Sequence, residues 1–231
     1  DGITTNCGFL SLFQEKMDRD QWRNGLMAIK EDVFAELQSK IRSCSFCLDA
    51  GHWVAPPGVT QGDVEAKIMT IGQAPGITEV EVKRPFNAGS GKRLFEWLAK
   101  ADIDEIWFRS TQYMSSVTKC YPGRVEGGSG DRVPSRAEQA LCRPFLDEEI
   151  RLVNPKLIIL IGRLAIGLYF PKKLKLTEII GTQTQLENGS WVVPLPHSSG
   201  ASRWHQIAEN RLLIDQAIGL IQGHKKRIFK D

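Results

Sequence analysis

The feature that most constrains this chain is an apolar run that stops at a glycine and leads into a long polar loop. Residues 68–71 read as a buried strand that ends at Gly72, and a helical pattern follows the second glycine turn at residues 89–91. A strand, a loop and a helix in this order place the loop at the carboxyl end of the strand, where open α/β sheets bind their ligands. The stretch therefore predicts an α/β fold with a binding site between residues 72 and 91.

Apolar runs and helical patterns alternate along the rest of the chain. Further strands are predicted at residues 105–110, 157–162 and 191–195, and the second of these is apolar throughout, as in a strand buried on both faces. Such alternation implies right-handed crossovers and a mostly parallel sheet between two helical layers. We therefore expect a three-layer α/β/α fold around a central, mostly parallel four-stranded sheet.

The same pattern predicts how the chain is divided and where its loops meet. Strand ends at Gly72, near Tyr113 and at Pro196 are expected to open on one edge of the sheet, so that three loops lie together. Residues 1–43 are predicted to form an amino-terminal helical appendage, and residues 44–231 the α/β domain. The three loops are therefore the expected place for chemistry.

Composition and charge narrow the class of protein without choosing a partner. The chain has 231 residues, enough for one domain with a substantial core, and a net charge of +3, which permits a polyanionic partner without requiring one. No apolar run approaches the length of a membrane span, and no signal-peptide pattern is present. We expect a cytoplasmic, monomeric protein that does not bind membranes.

Four of the five cysteines have positions in the sequence that suit a metal site. Cys44 and Cys47 form a C-x-x-C pair, Cys120 follows the second predicted strand, and Cys142 lies in a helix opened by a Ser-x-x-Glu capping box. A disulfide scaffold is not expected in a chain of this size without secretory signals. Four thiolates suit structural zinc or an iron–sulfur cluster equally well, and unrelated buried cysteines are the alternative. Cys7 has no near partner in the sequence and is expected to be a bystander.

Four short motifs stand around the predicted loops and cysteines. They read G-Q-A-P-G-x-x-E at residues 72–79 with R-P-F at 84–86, V-T-K-C at 117–120, C-R-P-F-L at 142–146, and P-H-S-S at 196–199. Together they resemble the motifs of the uracil-DNA glycosylase superfamily, and among its members the iron–sulfur-containing, family-four thermostable enzymes. Those carry G-E-[AG]-P-G-x-x-E with G-R-P-F, N-V-x-K-C, C-x-P-F/Y-L, and H-P-S or H-P-A. The resemblance extends from Cys44 to the end of the chain.

The resemblance implies a cofactor for the four cysteines. In the family pattern, the positions of Cys44, Cys47, Cys120 and Cys142 hold a [4Fe–4S] cluster, and zinc is the alternative that the spacing alone leaves open. Such a cluster would be structural, because it would tie the amino-terminal part of the chain to the long loop and to the capped helix.

The resemblance also implies a pocket for a base that is flipped out of DNA. Glycines in the strand-end loop permit a close approach of backbone N–H groups to a pyrimidine carbonyl, and an aromatic ring stacks on the flipped base. The implied substrate-binding residues are Gly72, Ala74, Pro75, Gly76, Phe86 and Ser116. The alternative for Phe86 is a core aromatic residue.

Three residues are implied to carry out the catalysis. His197, after the last predicted strand, would stabilise negative charge on the leaving base in the manner of an oxyanion donor. Glu79 would orient the attacking water, and the amide of Gln73 would help to position it. From the residues alone, a loop histidine such as His197 is more often a surface residue, and Glu79 is equally a solvated loop carboxylate.

The loop after the last predicted strand is implied to contact DNA. Small or apolar residues in such a loop enter the minor groove as a wedge, while an arginine contacts phosphate or the groove. The residues implied in DNA binding are Ser199, Gly200, Ala201 and Arg203. DNA is therefore the expected partner.

Three residues depart from the family pattern. Gln73 replaces a glutamate. The replacement removes a carboxylate that could act as a general base, but it leaves an amide that can position water. Ser116 stands where the family has an asparagine that reads the uracil edge, and one hydroxyl does not reproduce the paired donor and acceptor of an amide. Ser198 replaces the proline after His197, in a loop similar to that of the mismatch-specific uracil glycosylases. The sequence therefore leaves the preferred base open.

These observations predict a monofunctional DNA glycosylase of base excision repair. It would hydrolyse the N-glycosidic bond of uracil or another deaminated base and leave an abasic site. No lysine in the three loops is placed as a nucleophile, which argues against a Schiff-base lyase step. The alternatives are a non-catalytic iron–sulfur DNA-binding protein on the same scaffold, and a small-molecule nucleoside hydrolase, which the wedge-like loop at residues 199–203 disfavours.

Overall fold

The fold alternates strands and helices around one sheet. The computed structural model describes residues 19–128, 130–200 and 202–230, so Cys7 and Ala201 lie outside the described residues. The helices are α1 (Arg19–Arg42), α2 (Phe46–Asp49), α3 (Ile77–Val82), α4 (Gly89–Ala99), α5 (Glu105–Thr111), α6 (Arg136–Val153), α7 (Arg163–Ile166), α8 (Leu176–Ile179) and α9 (Ala208–Ile228). The strands are β1 (Ile68–Gly72), β2 (Tyr113–Ser116), β3 (Leu157–Ile161), β4 (Thr184–Gln185) and β5 (Trp191–Leu195).

The sheet is mostly parallel, and its strands lie in the order β2-β1-β3-β5-β4. Thr70 of β1 lies opposite Met114 on one side and Ile159 on the other, and β3 pairs with β5 in the same direction. Every residue of β1 and β3 is buried. Because successive side chains of a strand point to opposite faces, both faces of the sheet are covered. The predicted three-layer α/β/α fold with a mostly parallel sheet is confirmed.

The sheet has five strands in the described part of the chain, so the predicted number of four was wrong. The additional strand is β4, which contains two residues and pairs antiparallel with β5, with Thr184 opposite Val192. Both of its residues are polar and neither is buried. A polar, two-residue edge strand has no apolar run, so the pattern that revealed the other strands cannot detect it.

The second strand lies further along the chain than predicted. The apolar run Ile106–Phe108 predicts a strand at residues 105–110, but these residues form helix α5. The backbone N–H of Trp107 donates to Oδ1 of Asp104 at 2.8 Å, a helix cap that competes successfully with the β propensity of the run. Ile106 is 80% exposed while Phe108 is fully buried, as expected for one turn of a helix on the surface.

Strand β2 is half polar, and its burial depends on one carboxylate. The Tyr113 hydroxyl donates to Oε1 of Glu149 at 2.8 Å, and the Ser115 hydroxyl donates to Oε2 at 2.7 Å. Lys119 completes the set with an ion pair to Glu149 at 2.8 Å. A buried polar group is tolerated where its hydrogen bonds are made inside the protein. This network therefore explains why the sequence Tyr-Met-Ser-Ser forms a buried strand.

Helix α6 supplies Glu149 and begins at the predicted capping box. The backbone N–H of Glu138 donates to Oγ of Ser135 at 3.2 Å, and the N–H of Ser135 donates back to Oε2 of Glu138 at 2.6 Å. Cys142 and Glu149 are seven residues apart on this helix and are both buried. Two turns of helix therefore place them on one face, toward β2 and the loop that follows it.

Helix α1 packs against α6 and joins the main core. Phe34, Leu37 and Ile41 are buried in that core, and the side-chain amide of Gln38 donates to the hydroxyl of Tyr113 at 2.7 Å.

Among the described residues, no helix combines the length and the apolarity that crossing a membrane requires.

Three parallel strands end at the same edge of the sheet. Gly72 at the end of β1 pairs with Ser116 at the end of β2, and β5 ends at Leu195 beside Ile161 of β3. The loops that leave these strands therefore meet, as the sequence predicted. The second of them leaves from Ser116, since the strand before it is β2.

Candidate active site and cysteine pocket

A cavity of about 540 Å³, here called the edge cavity, opens where the three strand-end loops meet. Small-molecule sites commonly have volumes of about 300–1,000 Å³, so the cavity is large enough for a nucleobase and sugar. The sequence-predicted residues that line it are Gly72, Gln73, Ala74, Pro75, Gly76, Glu79, Phe86, Ser116, His197 and Ser199. Gly200 and Arg203 are exposed beside it and do not line its wall.

Phe86 lies against the end of β1 in a backbone conformation that is uncommon for its residue type. Its φ is +50°, in the left-handed region, and its side chain is 8% exposed. A Cβ added at Gly72 would lie 3.0 Å from Cζ of Phe86, so the glycine is what lets the ring approach the strand end. Strained residues held by their surroundings are typical of binding sites.

Arg109 holds the turn that presents Phe86, and the sequence did not reveal it. Its guanidinium donates from NH1 to the carbonyl of Pro85 at 2.9 Å and from NH2 to the carbonyl of Phe86 at 2.7 Å. It also bonds Glu105 at 2.7 Å and lies 4.5 Å from the ring centre of Phe95. Arg109 is buried on α5, the helix that we had predicted as a strand, so its role was not visible from the pattern.

Glu79 is a buried carboxylate, not a solvated one. The backbone N–H of Gly76 donates to its Oε2 at 3.1 Å, which closes the turn at the start of α3. Burial raises the pKa of Glu79, while backbone N–H groups of Gly76, Asn87 and Phe86 oppose that shift. With 8% of its surface exposed, Glu79 fixes the two ends of its loop to each other.

His197 lines the edge cavity as a neutral imidazole. Burial lowers its pKa, and the nearby charge of Asp131 only partly opposes that shift. The backbone N–H of Ser199 donates to Nδ1 at 3.1 Å, so the proton of the neutral ring is on Nε2. A Cβ at Gly162, whose φ is +86°, would lie 2.9 Å from Cδ2 of His197, so this glycine makes room for the ring.

Arg93 fixes the loop that carries His197, and it too was missed in the sequence. Its NH1 donates to the carbonyl of Ser198 at 2.9 Å. The loop closes with a second bond, from the N–H of Ser202 to the carbonyl of Ser199 at 3.2 Å. Arg93 lies on α4, far from the loop in sequence, so no local pattern connects the two.

Ser116 presents only an acceptor to the edge cavity. Its hydroxyl donates to the carbonyl of Thr118 at 2.7 Å, which uses the single proton of the side chain. The remaining lone pairs of Oγ can accept a hydrogen bond from a ligand but cannot donate one. A ligand group that offers an N–H or O–H at this position would therefore suit Ser116.

Asp131 lines the edge cavity and was not predicted from the sequence. The hydroxyl of Tyr121 donates to its Oδ1 at 3.0 Å, and its Oδ2 lies 3.5 Å from where a Cβ on Gly76 would be. It belongs to a hairpin in which Arg124 and Asp131 pair. The sequence of this hairpin resembles a flexible glycine-rich loop, so only the fold shows that the carboxylate is placed at the cavity.

The four predicted cysteines line one pocket, here called the cysteine pocket. Cys44 and Cys47 approach it from the start of α2, Cys120 from the loop after β2, and Cys142 from α6. None of the four forms a disulfide. The backbone N–H of Lys119 donates to Sγ of Cys142 at 3.3 Å. The four cysteines that the sequence groups together therefore line one pocket of the fold.

Two thiols of the cysteine pocket, those of Cys47 and Cys120, are protonated at neutral pH when no cation is bound. Burial, together with the charges of neighbouring cysteines, raises the pKa of Cys47 to about 11 and that of Cys120 to about 12. Among the described residues, no three cysteine, histidine or carboxylate side chains are arranged to hold a metal ion. The thiols share a pocket without converging on one point.

A third feature, here called the basic groove, adjoins the edge cavity at Gln73 and Val133, which line both. Four cationic side chains line the groove, and its lining contains no acidic residue among those described; they are Arg136, Arg143, Arg163 and Lys172. Only Arg143 among them has an ion pair, with Asp147 at 2.6 Å, in the described part of the chain. The groove is therefore a concave surface of net positive charge beside the cavity.

Comparison with known proteins places this geometry in a family. The model of the Uracil DNA glycosylase superfamily matches residues 59–218. The Type-4 uracil-DNA glycosylase of Thermotoga maritima is 28% identical over 193 residues, which cover 82% of this chain and 93% of that protein. The Type-4 uracil-DNA glycosylase of Sulfurisphaera tokodaii is 30% identical over 162 residues, covering 70% of this chain and 67% of that protein.

The family match spans well over half of the chain, and it contains β1, β2, β3 and β5 together with every loop that lines the edge cavity. The resemblance predicted from the four motifs is thereby confirmed. This chain belongs to the uracil DNA glycosylase superfamily.

Proposed function

We propose that this protein is a DNA glycosylase of base excision repair, which hydrolyses the N-glycosidic bond of uracil or another deaminated base and leaves an abasic site. The observation that carries the proposal is the edge cavity, which Phe86, Ser116 and a neutral His197 all line in a member of this superfamily. The names of its Type-4 relatives support the same activity.

Binding of the flipped base begins with stacking on Phe86. Arg109 and the close approach at Gly72 hold the ring in place before any ligand arrives. Stacking of a base on an aromatic side chain contributes about 1–3 kcal/mol. Gly72, Ala74, Pro75 and Gly76 form the floor of the cavity and supply backbone groups, while Gln73 and Ser116 contact the polar edge of the base.

His197 acts on the leaving base without transferring a proton. As the bond from C1′ of the sugar to the base nitrogen breaks, its electron pair moves onto the base and negative charge develops on a carbonyl oxygen. The Nε2–H of the neutral ring donates a hydrogen bond to that oxygen, and Ser199 keeps the donor tautomer in place. A neutral donor suffices because its hydrogen bond to the oxygen strengthens as negative charge develops toward the transition state.

The enzyme is proposed to be monofunctional, with water as the nucleophile. Among the described residues, no lysine lines the edge cavity. Lys119 lies nearby but is buried in the ion pair with Glu149, so its amine is not available to attack the sugar.

We propose that the cysteine pocket holds a [4Fe–4S] cluster. Four cysteines are the usual ligands of such clusters, and the four cysteines of this chain line one pocket in a superfamily whose cluster motif they match. When bound, the cluster supplies iron–thiolate bonds that link α2, the loop after β2 and α6. The raised pKa values of Cys47 and Cys120 mean that binding releases protons.

DNA is proposed to lie across the edge cavity, from the loop after β5 to the basic groove. Ser199, Gly200, Ala201 and Arg203 would enter the minor groove, and the four cations of the basic groove would contact backbone phosphates on the other side of the cavity. We also propose that residues 44–231 form the catalytic unit, which residues 1–43 extend, and that the protein acts as a cytoplasmic monomer.

One experiment tests the activity. Oligonucleotides carrying uracil, hypoxanthine or xanthine, single-stranded or mispaired, are incubated with the protein and then heated in alkali. We expect cleavage at the modified base for at least one substrate. DNA binding without cleavage across the panel contradicts the proposal in favour of a non-catalytic DNA-binding protein, and release of bases from free nucleosides alone favours a nucleoside hydrolase.

A further inference from the structure

Hydrolysis by water requires a group that holds the water and accepts its proton, and few residues of the edge cavity qualify. Gln73 lines the cavity, but an amide does not accept a proton at neutral pH. His197 has its Nδ1 bonded to Ser199, and its Nε2 carries the proton that faces the leaving base in the proposed function. Only the carboxylates of Glu79 and Asp131 remain among the described lining residues.

The two carboxylates are in different situations. Glu79 is 8% exposed, and it accepts hydrogen bonds from the backbone of its own loop, so its oxygens are used to hold that loop together. Asp131 is exposed to the cavity and has only Oδ1 anchored, by the hydroxyl of Tyr121 at 3.0 Å. Its Oδ2 faces Gly76, where the absence of a side chain leaves space beside the strand-end loop.

The hairpin around Asp131 is built to hold the residue in place. The N–H of Val125 donates to the carbonyl of Gly130 at 2.9 Å, and the N–H of Arg132 donates to the carbonyl of Gly123 at 2.9 Å. Tyr121, which anchors the carboxylate, is 4% exposed and packs edge-on against Trp53. Asp131 is thus held in place by the hairpin backbone and, at its carboxylate, by Tyr121.

We propose that Asp131 is a catalytic residue that orients the attacking water and accepts its proton. The inference rests on the proposed glycosylase function. The water oxygen bonds to C1′ as the bond from C1′ to the base nitrogen breaks, and the electron pair of that bond leaves with the base. One water proton passes to the carboxylate of Asp131 and then to solvent, and the base anion takes a proton from solvent. General bases of this kind contribute about 10²- to 10⁴-fold to a rate.

The test uses single-turnover cleavage of whichever modified oligonucleotide the wild-type protein cleaves. Asp131→Asn keeps the shape of the side chain and an acceptor for Tyr121, so we expect normal folding, with a rate that falls about 100-fold or more. Removal of a negative charge from the cavity should leave DNA affinity equal or slightly higher, because DNA is an anion. Glu126→Gln is the matched control: this exposed carboxylate lies in the same hairpin but does not line the cavity, and its rate should stay within about twofold.

A second variant distinguishes a general base from a residue that only supports the structure. In Asp131→Ala, added formate should raise the rate in proportion to its concentration, because a small carboxylate can occupy the vacated space. A rate within threefold of wild type in Asp131→Asn overturns the proposal, as does an Asp131→Ala protein whose lost rate formate does not restore. A wild-type protein that cleaves no substrate overturns the proposed function and this proposal together, whereas an active wild type with an active Asp131→Asn overturns this proposal alone.

Discussion

The cysteine pocket and the edge cavity flank the same short segment of chain but are built in opposite ways. Ser115 and Ser116 line the edge cavity, while Thr118, Lys119 and Cys120 line the cysteine pocket. The edge cavity is lined by polar side chains such as Gln73, Ser116 and Asp131, whereas the lining of the cysteine pocket is largely apolar apart from its thiols. The difference fits the two proposals, in which the cysteine pocket stabilises the fold and the edge cavity performs the chemistry.

The ion pair between Lys119 and Glu149 is where the two regions meet. Its side chains are 3% and 0% exposed, and Glu149 also accepts the hydroxyls of Tyr113 and Ser115. Lys119 donates to the carbonyl of Ser116 at the wall of the edge cavity, and its backbone N–H donates to Cys142. Substitutions in either region therefore test whether stability and catalysis are separable.

The largest effect is expected from the cysteine pocket. Cys142→Ser should lose the bound iron and its visible absorbance, and Tm should fall by at least about 10 °C, since about 2–4 °C corresponds to 1 kcal/mol in a chain of this size. Cys7→Ser, outside the four-cysteine set, should retain both. Iron and sulfide analysis of anaerobically purified protein measures the first result, and calorimetry the second. Stoichiometric zinc without iron would contradict the cluster.

The second effect concerns the link between the regions. Glu149→Ala leaves the ammonium of Lys119 buried without a counter-charge and removes the acceptor of two hydroxyls, so we expect a loss of about 3–5 kcal/mol in the free energy of unfolding. Denaturant unfolding measures it. The double variant Lys119→Met/Glu149→Met should recover part of the loss, because no buried charge remains. A single variant that loses less than 1 kcal/mol would show that the pair is not what joins the two regions.

The third effect should be confined to catalysis. His197→Ala removes the donor to the leaving base, and loss of one such donor typically costs about 2.7–4 kcal/mol of transition-state stabilisation, or about 10²- to 10³-fold in rate. Single-turnover cleavage measures the rate, and Tm and iron content should stay close to wild type. His52→Ala is the control, since His52 lies outside the edge cavity. A clear fall in Tm together with the fall in rate would contradict the separation of stability from catalysis between the two regions.

The fourth effect is a pH dependence of His197. Burial lowers its pKa in the folded state, so the neutral ring dominates at pH 7 and contributes its full stability there. As pH falls below the ordinary histidine value of about 6.5, the unfolded state binds the proton first and stability declines until the folded pKa is passed. NMR titration should show His197 protonating below about 6.5, with the proton on Nε2 at pH 7. A pKa above that value would contradict the buried neutral donor.

The smallest effect is expected in the basic groove. Arg163→Gln and Lys172→Gln should each reduce the slope of log affinity against log salt by about 1 for an undamaged oligonucleotide, because each removes one phosphate contact. Fluorescence anisotropy at several salt concentrations measures the slope. Lys100→Gln, whose ammonium pairs with Asp215 outside the groove, should leave it unchanged. Unchanged slopes in all three variants would place the DNA path elsewhere.

The residues that stand in motifs were predictable because those motifs resemble the motifs of the uracil-DNA glycosylase superfamily. The four cysteines, Phe86 and His197 were all predicted, and the structure brings them to two adjoining pockets. The edge of the sheet was predictable because parallel strands that alternate with helices must end together.

The supporting residues were not predictable from local pattern. Arg109 and Arg93 reach carbonyl groups 23 and 105 residues away along the chain, and the hydrogen bonds become apparent only once the helices are packed. Asp131 lies in a glycine-rich hairpin with no periodicity, so nothing in the sequence places its carboxylate at the cavity. The wrong assignment of α5 had the same origin, since three apolar residues fit a strand or one turn of a helix.

Direct detection of the released base tests the central claim. The protein is mixed with an oligonucleotide that becomes alkali-labile on treatment with the protein. The products are then examined by mass spectrometry without alkali or heat. We predict free base together with an unbroken strand that carries one abasic site, and no product in His197→Ala over the same time. A strand that breaks without alkali, or a base that stays on the DNA, would contradict the account.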